Sequence, residues 1–160
     1  MYKSYAVYTE AVSRDGLQYD LISQALPKIE KEVNDILNQI VDFTVSLQTD
    51  GKNIVTHIVY DDKRWKLELS SGLEQFVSSL AIRVALINIS NLPRPNFIAI
   101  DEGFGCADAD NLAVMSTLFS YLKTNFDFIW IISHLDAMKD MVDNRIEITK
   151  DNGFSKINYQ

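Results

Sequence analysis

Cysteine occurs once in the 160 residues, at Cys106, so neither an internal disulfide nor a cysteine-based zinc cluster can be built. This usage fits a reducing, cytoplasmic setting. No apolar run approaches the roughly 20 residues of a membrane-spanning helix. The opening MYKSYAVYTEAVSRDG lacks both a basic head leading into an apolar stretch and a small-residue cleavage pattern, so no export signal and no membrane role are expected. Basic residues are the minority, 15 Lys+Arg against 22 Asp+Glu, and a net charge of −7 argues against a chain that grips phosphate backbones over its whole surface. Contact with nucleic acid is expected to need another chain. The pattern G-x-x-x-x-G-K-[ST] is also missing, since Gly51-Lys52 has no Gly five residues before it, and a phosphate cradle of that type cannot form. Zinc-ligand spacing and G-x-G-x-x-G are absent too, and Ser71 follows another Ser rather than sitting on a G-x-S-x-G elbow.

What is present is the composition of one globular domain, 47% hydrophobic and 23% charged. A chain of this size buries roughly two thirds of the surface it exposes when unfolded. Tyr2, Tyr5, Thr9 and Val12 are spaced as on one face of a short helix that stops at Asp15-Gly16. The series Leu21, Ile22, Ala25, Ile29, Val33, Ile36, Leu37 and Ile40 keeps helical spacing but crosses Pro27, which predicts two helices, the later one starting near Pro27. From Val41 the period falls to two, through Phe43, Val45 and Leu47, and a β-branched run from Ile54 to Tyr60 follows Asp50-Gly51. This predicts a hairpin, with His57 exposed on it.

A helix from Gly72 to about Ile89 carries Leu73, Phe76, Val77, Leu80, Ala81, Val84 and Ile87 as its apolar stripe and ends before Pro93 and Pro95. Phe97 to Ile100 and Phe128 to Ile132 are fully apolar, as expected of strands covered on both faces. Between them a helix from Asp110 to Thr124 shows Leu112, Met115, Phe119 and Leu122 on one face, so the strands are expected to be parallel and joined by a right-handed crossover. A short helix near Leu135 to Met141, a strand near Arg145 to Thr149 and a turn at Asp151 to Gly153 complete the chain. The fold class is α/β.

Four features fall where α/β domains place ligands, at strand C-termini and helix N-termini. Ser71-Gly72-Leu73-Glu74 reads as a capping box, and equally as a turn whose free amides receive a phosphate; the readings are compatible. Asp101-Glu102 ends a buried strand, where paired carboxylates cost desolvation unless a cation or hydrogen bonds compensate. A hard divalent ion with water ligands suits Asp101 and leaves Glu102 to orient or deprotonate a water; the plain alternative is an acidic pair already in solvent. Asp108, in a glycine-containing loop, could be only a turn or cap residue. His134, at the mouth of the second strand, is either structural or a partner for a phosphate or a water.

The order Leu69-Ser-Ser-Gly-Leu-Glu-Gln-Phe76, Phe97-Ile-Ala-Ile-Asp-Glu102, Gly103-Phe-Gly-Cys-Ala-Asp108 and Ile131-Ile-Ser-His134 resembles the C-terminal half of an ABC-type ATPase head of the SMC/SbcC class, which serves double-strand-break repair and chromosome maintenance. The four segments match its signature motif, Walker B strand, D-loop and switch histidine over roughly residues 65–150. The resemblance implies a C-terminal lobe of a P-loop ABC-type head, a parallel β-sheet with flanking helices preceded by a helical arm and a β-hairpin. It divides the chain into residues 1–40, the end of a coiled-coil arm and its junction with the head, and residues 41–160, the ATPase lobe.

It further implies that Ser71 and the amides of Gly72 and Leu73, with Glu74, meet the γ-phosphate of ATP held by an opposing head, and that Asp101 holds Mg2+ through water. In the same frame Glu102 activates the attacking water, Asp108 acts across the dimer interface and His134 touches the γ-phosphate. Leu73 departs from the family's Ser-Gly-Gly. The implied partners are an N-terminal Walker A lobe, a second head, an SbcD-type nuclease, and DNA reached through the full complex, in a cytoplasmic, DNA-associated location. Without the Walker A lobe the chain is expected to be inactive. Two other readings remain: an interaction module without nucleotide chemistry, and a metal-dependent phosphoesterase built on Asp101, Glu102, Asp108 and His134.

Overall fold

The computed structural model describes residues 2–13, 16–50, 53–106 and 111–159, which form two compact units, Met1–Pro95 and Asn96–Gln160. The first unit opens with α1 (Tyr2–Ala11) and α2 (Leu17–Leu37). Helix α2 runs unbroken through Pro27, in place of the two helices expected. An interior proline forfeits a backbone hydrogen bond and costs about 3 kcal/mol. Burial of Leu26, Val33, Ile36 and Leu37 in α2 offsets that cost. Gly16 is fixed by a close approach, because a Cβ there would lie 2.7 Å from the Ala11 carbonyl oxygen.

Three antiparallel strands follow, β1 (Thr44–Thr49), β2 (Ile54–Tyr60) and β3 (Lys63–Lys66), in the order β1-β2-β3. The expected hairpin is present, with part of its turn, Gly51 and Lys52, outside the described residues. The third strand adds to it, joined through Asp61 at φ 46°, a left-handed conformation that Asp tolerates in tight turns. Helix α2 satisfies the outer edge of β1: Asn34 donates to the Val45 carbonyl at 2.9 Å and accepts from its amide at 2.8 Å, and Glu30 accepts from the Leu47 amide. An edge strand is thereby closed to further pairing.

After a 3-10 turn over Leu67–Leu69, α3 (Gly72–Ile89) packs on α2 and buries Val77, Ser78, Leu80, Ala81, Val84 and Ala85. Among the described residues α3 alone has the length and apolar character of a membrane-crossing helix, yet it buries this face in the core.

His57, expected to be exposed, is half-buried, with Nδ1 2.9 Å from Arg64 Nη2. Burial first, then the charges of Arg64 and Lys66, holds its pKa below the ordinary 6.5. As pH falls the unfolded chain takes up this proton before the folded one. The contribution of neutral His57 is therefore present above about pH 6.5 and lost as pH drops through its lower folded value. Thermal melts between pH 7.5 and 5 are expected to show a declining Tm, and His57→Gln is expected to flatten that decline. An equal slope in both proteins would refute the assignment.

The second unit holds the parallel pair β4 (Phe97–Asp101) and β5 (Phe128–Ile132), in register from Phe97 opposite Phe128 to Asp101 opposite Ile132. Between them, α4 (Leu112–Asn125) buries Met115, Leu118, Phe119 and Leu122. The expected cover on both strand faces is not observed. Phe97, Phe128, Trp130 and Ile132 share one face and are 55% to 67% exposed, because alternate side chains of a strand point oppositely and this chain's helix takes the other set. A 3-10 helix over Asp136–Met141 stands where a short helix was expected. The last expected strand is half of a hairpin, β6 (Ile146–Asp151) and β7 (Phe154–Tyr159), closed by Asn152 and Gly153 at φ 48° and 87°, the conformation Asn-Gly favours.

Candidate nucleotide site

Ser71, Gly72, Leu73 and Glu74 lie in the first unit, at the start of α3; Asp101, Glu102 and His134 lie in the second, at the ends of β4 and β5. Asp108 is outside the described residues. At α3 both halves of the capping box form. The Ser71 amide donates to Glu74 Oε2 at 2.7 Å, and the Glu74 amide donates to Ser71 Oγ at 3.3 Å.

The box determines which groups remain for a ligand. Ser71 Oγ accepts within it, so its own proton is still available to an acceptor, and the amides of Gly72 and Leu73 are first-turn donors with no intrahelical acceptor. Ser71 and Gly72 are exposed while Leu73 is half-buried. Gln75, part of the Leu69–Phe76 segment but given no role of its own by the sequence, braces the approach by donating to the Ser70 carbonyl at 2.9 Å, and Ser70 Oγ donates to the Leu67 carbonyl at 2.7 Å.

In the second unit the backbone turns sharply where the carboxylates stand. Glu102 has φ 55° and Gly103 φ 86°; a non-glycine residue in this region costs about 1–3 kcal/mol. The Glu102 amide is held by the Ile132 carbonyl at 2.9 Å, tying the ends of the two strands together. His134 Nδ1 lies 3.8 Å from Glu102 Oε1, with both side chains open to solvent. Leu135 donates to Ser133 Oγ at 3.2 Å, which shapes the loop carrying the histidine. The chain leaving Glu102 is anchored by Phe104, 1% exposed and 5.9 Å from the Phe119 ring of α4. Phe104 is legible as the one large apolar residue of that loop.

No cluster of three or more His, Cys, Asp or Glu side chains suited to a metal occurs among the described residues. A magnesium ion that keeps most of its waters needs only one or two carboxylates besides substrate phosphates, and exposed Asp101 fits that requirement. A cage of protein ligands, as for two-metal hydrolysis, does not fit the described residues.

No protein-family model matches the chain. An uncharacterized protein of Acanthamoeba polyphaga mimivirus is 36% identical over 96% of this chain, which covers 13% of that protein. The DNA double-strand break repair Rad50 ATPase of Methanocaldococcus jannaschii is 26% identical over 90% of the chain, and the SbcC component of the SbcCD nuclease of Rhodobacter capsulatus 33% over 52%. The chain covers 14% and 7% of these two relatives.

Among solved structures, one from work on ATP-driven dimerization and DNA-stimulated activation of SMC ATPases superposes with a TM-score of 0.70 at 16% identity, covering 88% of both chains. The SMC head domain from Thermotoga maritima gives 0.59 at 24% identity, covering 88% of this chain and 50% of that one. Fold and sequence likeness together define an SMC/SbcC-type ATPase head fragment. Its mixed α/β architecture is that of the C-terminal ABC ATPase lobe of such a head.

Proposed function

We propose that this chain supplies the C-terminal half of a composite ATPase site that forms only with an N-terminal Walker A lobe and a second head. The observation that carries the reading is the strained end of β4, which presents Asp101 and Glu102 with His134 beside Glu102. The capped start of α3 supports it by offering the Ser71 hydroxyl and the amides of Gly72 and Leu73.

Phosphoryl transfer to water depends on positioning and on neutralising charge. Ser71, Gly72 and Leu73 would bind the γ-phosphate from across the head interface. Glu102 would take a proton from the attacking water, and His134 would donate a ring N–H to a γ-phosphate oxygen. Magnesium, held through water by Asp101, supplies charge neutralisation when bound. Asp108 is assigned to the interface by the family's pattern. DNA and a nuclease of the SbcD type are the proposed partners of the whole protein, and the work is DNA repair or chromosome maintenance.

The test is ATP-dependent cross-linking of the head assembled from this chain and its complementary lobe. Association is expected with the native chain and is expected to be lost with Ser71→Arg, whose side chain fills the phosphate turn. Association that survives Ser71→Arg unchanged would rule the reading out.

A further inference from the structure

We infer that Phe104 is a positioning residue for ATP hydrolysis: its ring, seated on Phe119, holds the backbone turn that aims the Glu102 carboxylate at the attacking water. The inference rests on the proposed role of Glu102 as the base. Among the described residues, Asp61, Glu102 and Asn152 are the non-glycine residues with a positive φ. Asp and Asn tolerate the left-handed region because their short polar side chains bond locally, and both of these stand in hairpin turns. Glu102 has no such allowance. Backbone strain of this kind persists only where the surroundings over-determine it, and it gathers at functional sites.

Two contacts bracket the strained turn, one on each side. At Glu102 itself the amide donates to the Ile132 carbonyl at 2.9 Å, which fixes the turn to the end of β5, two residues before His134. On the other side, after Gly103 at φ 86°, Phe104 is 1% exposed and its ring centroid lies 5.9 Å from that of Phe119, itself 4% exposed. Phe119 belongs to the buried face of α4, with Met115, Leu118 and Leu122, so a helix and not a loop receives the ring. If the ring leaves this seat, the bracket opens on one side and Glu102 can relax to an ordinary negative φ. Its Cα–Cβ bond then points elsewhere, and Oε1 leaves its place 3.8 Å from His134 Nδ1. Burial of one ring thus keeps a carboxylate in an unfavourable backbone conformation. Phe104, apolar and buried, has no group to offer a phosphate or a water, and it acts through Glu102.

Phe104→Leu keeps apolar bulk and removes the ring contact. Amide hydrogen exchange of the whole chain without nucleotide is expected to show the Glu102 amide exchanging about tenfold faster, as for loss of about one hydrogen bond's protection. The amides of Leu118 and Leu122 should keep their rates. In the head assembled with the complementary Walker A lobe, hydrolysis at saturating ATP is expected to fall by about 10²-fold, the cost of misplacing a reacting group by about 1 Å. The ATP concentration for half-maximal association should not change. Combined with Glu102→Gln, Phe104→Leu should lower the rate no further, because a residue that acts only through the base has nothing left to position. Phe119→Leu removes the same contact from the side of α4 and should reproduce these results.

Unchanged Glu102 exchange in both variants would overturn the inference, as would full hydrolysis by Phe104→Leu in a head that Glu102→Gln inactivates. So would faster exchange throughout α4 or weaker ATP-dependent association, which mark a merely structural role, or a further loss of rate in the Glu102→Gln background. Failure of the base reading is separately visible, because Glu102→Gln alone would then leave hydrolysis intact, and the positioning role would fall with it.

Discussion

In a head assembled from this chain and the complementary Walker A lobe, Glu102→Gln is expected to lower the steady-state rate of ATP hydrolysis by about 10²–10⁴, the range that general-base catalysis supplies. ATP-dependent association should be kept. Glutamine is nearly isosteric and preserves the left-handed turn at φ 55°, the Glu102 amide to Ile132 carbonyl bond and the neighbourhood of His134, so only proton acceptance is removed. Retained binding with lost turnover separates a base from a group that binds ATP. The chain alone is expected to show no steady-state hydrolysis, because the lysine-bearing phosphate loop is not in its sequence. Activity of the isolated chain that disappears with Glu102→Gln would overturn this expectation.

A second large effect is expected from the uncovered face of β4 and β5. Phe97, Phe128, Trp130 and Ile132 lie side by side on adjacent strands and are more than half exposed. Fully buried aromatic side chains each remove about 150–250 Å² from water, so this contiguous face approaches or exceeds the few hundred Å² at which exposed apolar patches mark interaction surfaces. The isolated chain is expected to self-associate in sedimentation at tens of micromolar, and Trp130→Lys is expected to shift it strongly towards monomer. A monomeric native chain at the same concentration would contradict the argument. The proposed occupant in the whole head is the N-terminal lobe.

The elements that the sequence determined are those whose local signals agree. Helix α3 begins at Gly72 and ends at Ile89 as the cap, stripe and following prolines require, and β5 spans Phe128 to Ile132 as its apolar run requires. The capping box at Ser71 and Glu74 was legible because it is a contact between residues three apart. The acidic pair and the histidine were legible as residues at strand mouths, since strand ends follow from pattern.

Tertiary structure decided the rest, where a long-range contact outweighed a local preference. Pro27 is carried inside α2 because the helix beyond it is buried, a cost no local rule can offset. β3 and β7 are short or polar strands that depend on the partner they pair with. The uncovered face of β4 and β5 follows from which helices this chain contains, and an apolar run alone is silent on that. Glu102 is in the left-handed region because the Ile132 carbonyl and the Phe104 anchor hold it there. The identity of a residue limits what it can donate, accept or bury; which partner it meets from another element is set only when the chain packs.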